Sequence, residues 1–155
     1  MTPAVLMLTE RSMSFRVCEY EHDPTNKNFG LEAAEALNLD PQQVFKTLIV
    51  LAGDEEMCAV VPVNGQLSLK LFANAVGVKR VEMCPPSRAE RVTGYLVGGI
   101  SPIAQRRRLV TVIDETAQLY EQVFVSGGRR GLDVAIAPDD LALVTEATFA
   151  DIAAG

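Results

Sequence analysis

Two apolar segments separated by a short polar one constrain the fold of this chain more than any other feature. Residues 44–52 and 57–63 are dominated by apolar side chains, and Gly53-Asp54-Glu55-Glu56 lies between them. This pattern predicts two neighbouring strands joined by a turn, that is, a β-hairpin. The first segment does not alternate between apolar and polar residues, which indicates a strand that is covered on both faces.

The rest of the chain mixes helical and strand patterns in irregular order. We therefore predict an α+β fold rather than a doubly wound parallel sheet. Helices are predicted at residues 3–11, 31–39, 68–76, 86–92 and 139–144, and further strands at residues 15–20, 95–97, 109–113, 123–125 and 132–136. The length of 155 residues fits one domain spanning residues 1–155 and is short for two.

Two glycine clusters each follow a predicted strand. Gly98 and Gly99 come after residues 95–97, and the segment Ser126-Gly127-Gly128-Arg129-Arg130-Gly131 comes after residues 123–125. Glycine lets a ligand approach the backbone closely, so two such loops could form facing walls of a pocket. For either cluster alone, an ordinary connection between strands is the simpler interpretation.

Charge is distributed unevenly along the chain. The net charge is −6, but residues 79–130 carry nine basic and five acidic residues, a net charge of +4, which leaves −10 for the remainder. Arg106, Arg107 and Arg108 lie only four residues beyond Pro102, which favours a phosphate group near that loop. A solvated basic face is the simpler interpretation of any single cluster.

Lys46 is the one charged residue in the apolar segment 44–52. In a strand that is covered on both faces, its ammonium group must either extend to water or meet an anion. From spacing alone, the first of these alternatives is the simpler one.

Catalytic and metal-binding motifs are largely missing from the sequence. The three cysteines lack Cys-x-x-Cys spacing, and His22 is the sole histidine, so we expect no disulfide framework, no metal site and no cofactor. A Cys18–His22 dyad remains conceivable, although an exposed turn histidine explains His22 more simply. An enzyme with this sequence would work by orienting its substrate, with backbone amides and Lys46 supplying the electrostatics.

The sequence also lacks the features of exported or membrane proteins. The first ten residues have neither the basic start nor the apolar centre of a signal peptide, and no apolar run approaches the ~18 residues of a membrane span. With 48% hydrophobic and 22% charged residues, the composition is typical of a globular domain. We therefore expect a cytoplasmic protein that does not associate with membranes.

Six motifs, spread over nearly the whole chain, resemble those of a known family. They are Tyr20-Glu21-His22-Asp23-Pro24, Asn28-Phe29-Gly30, Val44-Phe45-Lys46-Thr47-Leu48, Pro62-Val63-Asn64-Gly65-Gln66-Leu67, the segment of residues 93–102 and the segment of residues 125–133. In these motifs the chain resembles the YbaK/EbsC family of aminoacyl-tRNA deacylases. Departures such as Cys18, Cys58 and Pro85-Pro86 lie outside the motifs.

The resemblance implies a fold and a set of site residues. The expected fold is a single α+β domain with a curved mixed β-sheet flanked by helices. In the family pattern, Lys46 corresponds to the essential lysine, and Gly98 and Pro102 to the Gly-x-x-x-Pro loop at the substrate carbonyl. Catalytic contacts are thus expected at Lys46, Gly98, Gly99, Ile100, Ser101 and Pro102, and substrate contacts at Tyr20, Phe29, Thr47, Ser126, Gly127, Gly128 and Asp133. Candidate contacts to the tRNA are Arg106, Arg107, Arg108, Arg129 and Arg130.

The resemblance also implies an activity and a partner. Family members remove cysteine from mischarged Cys-tRNA(Pro), and possible substrates extend to Cys-tRNA(Cys). The mechanism is substrate-assisted: the cysteinyl thiol attacks its own ester carbonyl and releases a thiolactone. The implied partners are the 3′ end of an aminoacyl-tRNA and prolyl-tRNA synthetase. Lys46 would contact either the carbonyl or the terminal phosphate, and both placements stay open.

Two other functions fit the residues. One is a deacylase for another small amino acid on tRNA, alanine or serine, which differs in pocket size and in the source of the nucleophile. The other is a non-catalytic module that binds a tRNA or a synthetase. The combination of Lys46 with an intact Gly98–Pro102 loop favours an enzyme, since a docking module would not need both.

Overall fold

The computed structural model describes residues 1–154. The helices are α1 (Pro3–Glu10), α2 (Phe29–Ala36), α3 (Leu69–Val76), α4 (Pro86–Thr93) and α5 (Pro138–Thr145). The strands are β1 (Phe15–Glu19), β2 (Phe45–Ala52), β3 (Glu55–Pro62), β4 (Gln66–Leu67), β5 (Glu82–Met83), β6 (Val110–Asp114), β7 (Val123–Arg129), β8 (Leu132–Ile136), β9 (Thr148–Ala150) and β10 (Ala153–Ala154). Among these residues, no helix is long and apolar enough to cross a membrane.

The β2–β3 hairpin is the centre of the fold, as the sequence predicts. Its two strands pair antiparallel over their full length, from Phe45 opposite Pro62 to Ala52 opposite Glu55. Along β3, side chains alternate between two hydrophobic clusters, because successive residues of a strand point to opposite faces. Val60 packs into one cluster and Val61 into the other, so the hairpin is buried on both faces.

Two main sheets share the core. The first is mixed and has the order β5-β2-β3-β6-β9, with β6 parallel to both β3 and β9. The second is antiparallel, in the order β1-β8-β7, and one parallel bridge between Val44 and Phe124 connects it to the start of β2. The α+β class and the mixed sheet are confirmed. Strands β4 and β10 form a separate antiparallel pair.

Helix boundaries follow local capping. The Ser68 hydroxyl caps α3, as the sequence predicts, by accepting a hydrogen bond from the Leu71 amide at 3.1 Å. Gly77 ends the helix with a left-handed backbone. Helix α2 begins earlier than the predicted residue 31, because Asn28 caps it and Phe29 is already helical. This shift brings the first turn of α2 close to Lys46.

The strand predicted at residues 95–97 is wrong. Tyr95 is buried, but Leu96 is 69% exposed and the segment forms an irregular turn. This segment forms no strand because side chains bind the backbone groups of Val97. Its amide donates to the Glu90 carboxylate at 2.8 Å, and its carbonyl accepts from Arg130, so side chains take the places of a neighbouring strand.

The second glycine cluster is also not a simple loop. Strand β7 continues through Gly127 and Gly128 to Arg129, and only Arg130 and Gly131 form the turn into β8. The pairing with β8 is irregular between Ser126 and Arg129, which is the form of a β-bulge. The glycines therefore allow a bulge in a strand instead of ending it.

Candidate active site

A cavity of about 310 Å³ opens where β2, the start of α2 and the segment of residues 97–100 converge. Strands β7 and β8 and the first turn of α4 complete its walls. The lining residues are Tyr20, Lys27, Asn28, Phe29, Gly30, Ala33, Val44, Phe45, Lys46, Thr47, Leu48, Ile49, Met83, Cys84, Pro86, Ala89, Val97, Gly98, Ile100, Ser126 and Asp133. Residues from distant parts of the sequence thus meet around one concave site.

Lys46 lies in this wall as a half-buried side chain of β2. Burial lowers the pKa of its ammonium group. None of the ion pairs or side-chain hydrogen bonds formed by residues 1–154 includes Lys46. The neighbouring Gly30 allows the first turn of α2 to pack against Val63, because a β-carbon there would lie 2.4 Å from the Val63 Cγ1. A partly desolvated cation without a counter-ion favours an anionic or strongly polar ligand.

Thr47, the next residue of β2, leaves a buried polar atom without a partner. Its Oγ1 is inaccessible to solvent and finds no hydrogen-bond partner among residues 1–154. Buried hydroxyl groups are nearly always hydrogen-bonded, since leaving one unpaired costs about 1–3 kcal/mol. Thr47 also lines the cavity, and a ligand that reached this hydroxyl would satisfy it.

Asp133 contributes a buried carboxylate from β8. It lies directly opposite Ser126 on β7 and opposite Cys18 on β1, and it is 6% exposed. Burial raises its pKa to about 7, and none of the ion pairs of residues 1–154 compensates its charge. Tyr20, which also lines the cavity, has a raised pKa through its own burial and then through the charge of Asp133. This end of the cavity therefore favours a cationic group.

The segment of residues 97–100 supplies backbone donors. The Gly99 amide is used within the turn, donating to the Leu96 carbonyl at 2.8 Å. Gly98 and Ile100 line the cavity, and their amides donate to no acceptor among residues 1–154. Two unused N–H groups beside an unpaired cation form an arrangement suited to hold an oxygen on which negative charge develops.

Similarity to known proteins identifies the family of this chain. The model of the aminoacyl-tRNA editing domain matches residues 28–143. The chain is also 35% identical, over 97% of its length and 92% of the relative's, to EbsC of Enterococcus faecalis, a candidate Cys-tRNA(Pro)/Cys-tRNA(Cys) deacylase. This chain belongs to the aminoacyl-tRNA editing family. The resemblance inferred from its motifs is confirmed.

Solved structures confirm the fold of this editing domain. A candidate trans-editing enzyme for prolyl tRNA synthetase has a TM-score of 0.86 at 24% identity, covering 99% of this chain and 96% of its own. A hypothetical protein has a TM-score of 0.87 at 25% identity, covering 98% and 99%. This chain thus shares its α+β architecture with both solved structures over nearly the whole length.

Eight of the predicted site residues line the cavity of the editing domain. They are Lys46, Gly98, Ile100, Tyr20, Phe29, Thr47, Ser126 and Asp133. Their individual contacts with a substrate stay predictions. Because these residues come from the segment after β1, from β2 and α2, from the turn after α4 and from the β7–β8 ladder, only the tertiary structure brings them together.

The other predicted catalytic and substrate contacts lie outside the lining and have packing roles. They are Gly99, Ser101, Pro102, Gly127 and Gly128. Gly99 lets the turn pack against β7, since a β-carbon there would lie 2.7 Å from the Arg129 Cα. The Ser101 hydroxyl accepts from the Ile103 amide at 3.2 Å in a fully buried position. Direct contacts of these five residues with the substrate stay predictions.

The candidate tRNA-binding arginines do not form one free basic patch. Arg107 donates to buried Glu56 at 2.6 Å, and Arg108 pairs with Glu146. Arg106 donates to the Arg91 carbonyl at 3.3 Å, and Arg129 to Glu19 at 3.1 Å. Arg130 alone among the five contacts cavity-lining residues, Val97 and Phe29. Contacts of these arginines with tRNA stay predictions.

No activated nucleophile is present among residues 1–154. The His22 Nδ1 lies 2.7 Å from the Glu32 carboxylate, while the Cys18 Sγ accepts from Arg16 at 3.2 Å, so the two do not form a dyad. Burial raises the pKa of Cys18 and Cys84, and it raises that of Cys58 to about 12. Thiols with raised pKa values are poor nucleophiles near neutral pH.

Sequence reasoning missed part of the cavity. Lys27, Met83, Cys84, Pro86 and Ala89 line it, but nothing in their local pattern predicts this. They belong to the segment before α2, to β5 and to the start of α4, which reach the site only through long-range packing. Asn28 and Gly30 belong to the motif Asn28-Phe29-Gly30, which is the one sequence feature that indicates their place in the cavity.

Proposed function

We propose that this chain is an aminoacyl-tRNA deacylase that removes cysteine from mischarged Cys-tRNA(Pro). The observation that carries the proposal is a cavity with an unpaired cation, an unpaired carboxylate and unused amides but no protein nucleophile. Membership of the editing family and the similarity to EbsC support the reaction class and the amino acid.

The reaction needs a nucleophile, and the substrate provides one. The sulfur of the cysteinyl group attacks its own ester carbonyl carbon, a C–S bond forms, and the C–O bond to the terminal ribose breaks. The thiol proton ends on the released ribose hydroxyl, so the products are free tRNA and a thiolactone that water opens to cysteine. A few per cent of a free thiol is thiolate at neutral pH, and attack within one bound molecule corresponds to effective molarities of about 10⁵–10⁸ M.

The cavity residues divide the remaining work. In this proposal the Gly98 and Ile100 amides hold the carbonyl oxygen as negative charge develops on it. Asp133 holds the α-ammonium group of the cysteinyl ester, and Thr47 provides a further hydrogen bond. Lys46 stabilises either the same oxygen or the terminal phosphate of the tRNA. Each of these roles assigns a ligand to a group that has no partner within the described residues.

The tRNA selectivity is proposed to come from a partner. All five candidate arginines already donate to acceptors within the protein, three of them to carboxylates, so few cations are free to meet a phosphate. Few free cations imply weak binding to a polyanion. We infer that prolyl-tRNA synthetase presents the mischarged tRNA in a transient complex, which places the reaction in the cytoplasm.

The proposal is tested by offering the purified protein Cys-tRNA(Pro), Ala-tRNA(Pro), Ser-tRNA(Pro) and S-methyl-cysteinyl-tRNA(Pro). We expect rapid release of tRNA from the first substrate only, with the thiolactone or its trapped derivative as the first product. Methylation of sulfur leaves the ester intact but removes the nucleophile. Equal cleavage of the methylated substrate would exclude the substrate-assisted step, and binding without cleavage of any substrate would indicate a docking module.

A further inference from the structure

Arg130 connects three parts of the cavity entrance. It occupies the turn between β7 and β8, and its Nε and Nη2 donate to the Val97 carbonyl at 3.0 and 2.6 Å. The same guanidinium group lies over the ring of Phe29, 4.7 Å from the ring centroid. One side chain thus ties the β7–β8 turn to the start of α2 and to the segment that carries Gly98.

These contacts determine the orientation of a peptide group. The carbonyl of Val97 and the amide of Gly98 belong to one planar trans peptide, so the N–H points away from the side on which the C=O is held. The Val97 amide is also held, by the Glu90 carboxylate at 2.8 Å. Gly98 has a φ of +90°, and a β-carbon there would lie 2.7 Å from the Arg130 Nε. The chain therefore needs glycine at the one position over which the guanidinium packs.

We propose that Arg130 is a positioning residue that holds the Val97–Gly98 peptide so that the Gly98 amide serves as a donor to the substrate carbonyl. This inference rests on the proposed function, because the donor matters only if an ester is cleaved. A charged donor on the Val97 carbonyl also polarises the peptide and strengthens its N–H as a donor. The acceptor for that N–H is absent from residues 1–154, as the role requires.

The geometry of the Arg130 guanidinium group indicates a positioning role and not merely a source of positive charge. Two N–H groups converge on one acceptor while the planar face covers an aromatic ring, an arrangement that lysine cannot reproduce. Arg130 differs in this respect from the other candidate tRNA contacts. Arg107, Arg108 and Arg129 donate to carboxylates, whereas Arg130 is engaged with the backbone of the catalytic segment.

Kinetics of Arg130→Gln, Arg130→Lys and the control Arg16→Gln test the inference. Arg16 is exposed and also lies over a phenylalanine ring, Phe124, but it does not line the cavity. We expect Arg130→Gln to lower kcat at saturating Cys-tRNA(Pro) about 10²-fold with little change in KM, as for a misplaced donor. Arg130→Lys should lose nearly as much, and Arg16→Gln should behave as wild type.

An effect of Arg130→Gln on KM instead of kcat would overturn the proposal. If Arg130→Gln raised KM and flattened its salt dependence while kcat stayed at the wild-type value, Arg130 would be a phosphate contact instead. The same conclusion would follow if Arg130→Lys were fully active.

Amide hydrogen exchange of the substrate-free protein gives a readout that does not depend on activity. Arg130→Gln should speed exchange at residues 95–101, whereas Arg16→Gln should not. Unchanged amide exchange at residues 95–101 in a folded Arg130→Gln variant would show that Arg130 does not order this segment. A wild-type protein that fails to cleave any aminoacyl-tRNA would end the proposed function, and the exchange experiment would still decide whether Arg130 orders the segment.

Discussion

Ser126 on β7 pairs with Asp133 on β8 across the antiparallel ladder, and both residues line the cavity. The pairing places the buried Asp133 carboxylate beside the short hydroxyl side chain of Ser126. None of the ion pairs of residues 1–154 includes Asp133. An isolated buried charge destabilises a folded protein. We therefore expect a cationic group of a bound ligand to compensate Asp133.

Asp133→Asn should stabilise the protein at pH 8 and reduce its activity. The folded pKa of about 7 lies above the unfolded value of about 3.9, so the folded state prefers the protonated carboxyl. The destabilisation is fully present above pH 7 and disappears as the pH falls towards 4. We expect Asp133→Asn to raise the Tm at pH 8 and to have little effect at pH 4. An equal effect at both pH values would contradict the assignment.

Lys46→Met should abolish most deacylation without unfolding the protein. One preorganised electrostatic contact is worth roughly 10²–10³ in rate. Burial lowers the pKa of Lys46, so its charged form is less stable in the fold than in the unfolded chain, and the Tm should stay equal or rise. Lys70→Met on the exposed face of α3 is the matched control. Near-normal turnover by Lys46→Met would remove the lysine from the mechanism.

A variant with Cys18, Cys58 and Cys84 all changed to Ala should retain appreciable turnover of Cys-tRNA(Pro). The three thiols have raised pKa values and the proposed nucleophile belongs to the substrate. Loss of buried volume should lower the Tm, so rates are compared per folded molecule and below the transition. A folded variant without turnover would indicate a cysteine nucleophile of the protein.

Arg106→Gln combined with Arg108→Gln tests the predicted tRNA contacts. We expect weaker binding of a non-cleavable aminoacyl-tRNA analogue and a slope of log K against log salt that is smaller by about one unit or less per lost phosphate contact. Arg107 is left unchanged, because it and Arg88 bind the buried Glu56 carboxylate. Superimposable slopes for wild type and variant would show that these arginines do not meet tRNA.

Glu56→Gln should lower the Tm at neutral pH and reduce acid sensitivity. The hydrogen bond from Arg88, and then the charge of Arg107, lower the pKa of Glu56 below its usual range. A depressed carboxyl pKa contributes stability above the unfolded value and loses it as the pH falls through the folded value. Thermal unfolding of wild type and variant between pH 3 and 7 measures this. Parallel Tm curves would mean that the arginine pairs contribute nothing.

Elements whose signals lie within a few residues of each other can be predicted from the sequence. The β2–β3 hairpin follows from a continuous apolar pattern around Gly53 and Asp54, and α3 follows from its cap at Ser68. The family motifs also identified Lys46, Phe29 and the segment around Gly98 before any geometry was known. These features depend on neighbours along the chain, so a linear pattern is sufficient to predict them.

Contacts between residues far apart in the sequence appear only in the folded chain. Arg130 and Val97 are 33 residues apart, and the hydrogen bond between them stabilises a turn at residues 95–97, where the sequence predicts a strand. Arg107 and Glu56 are 51 residues apart, and their ion pair links β3 to the segment after α4. Burial, pKa and ion pairing depend on which residues the folded chain brings together, and a sequence pattern does not contain that information.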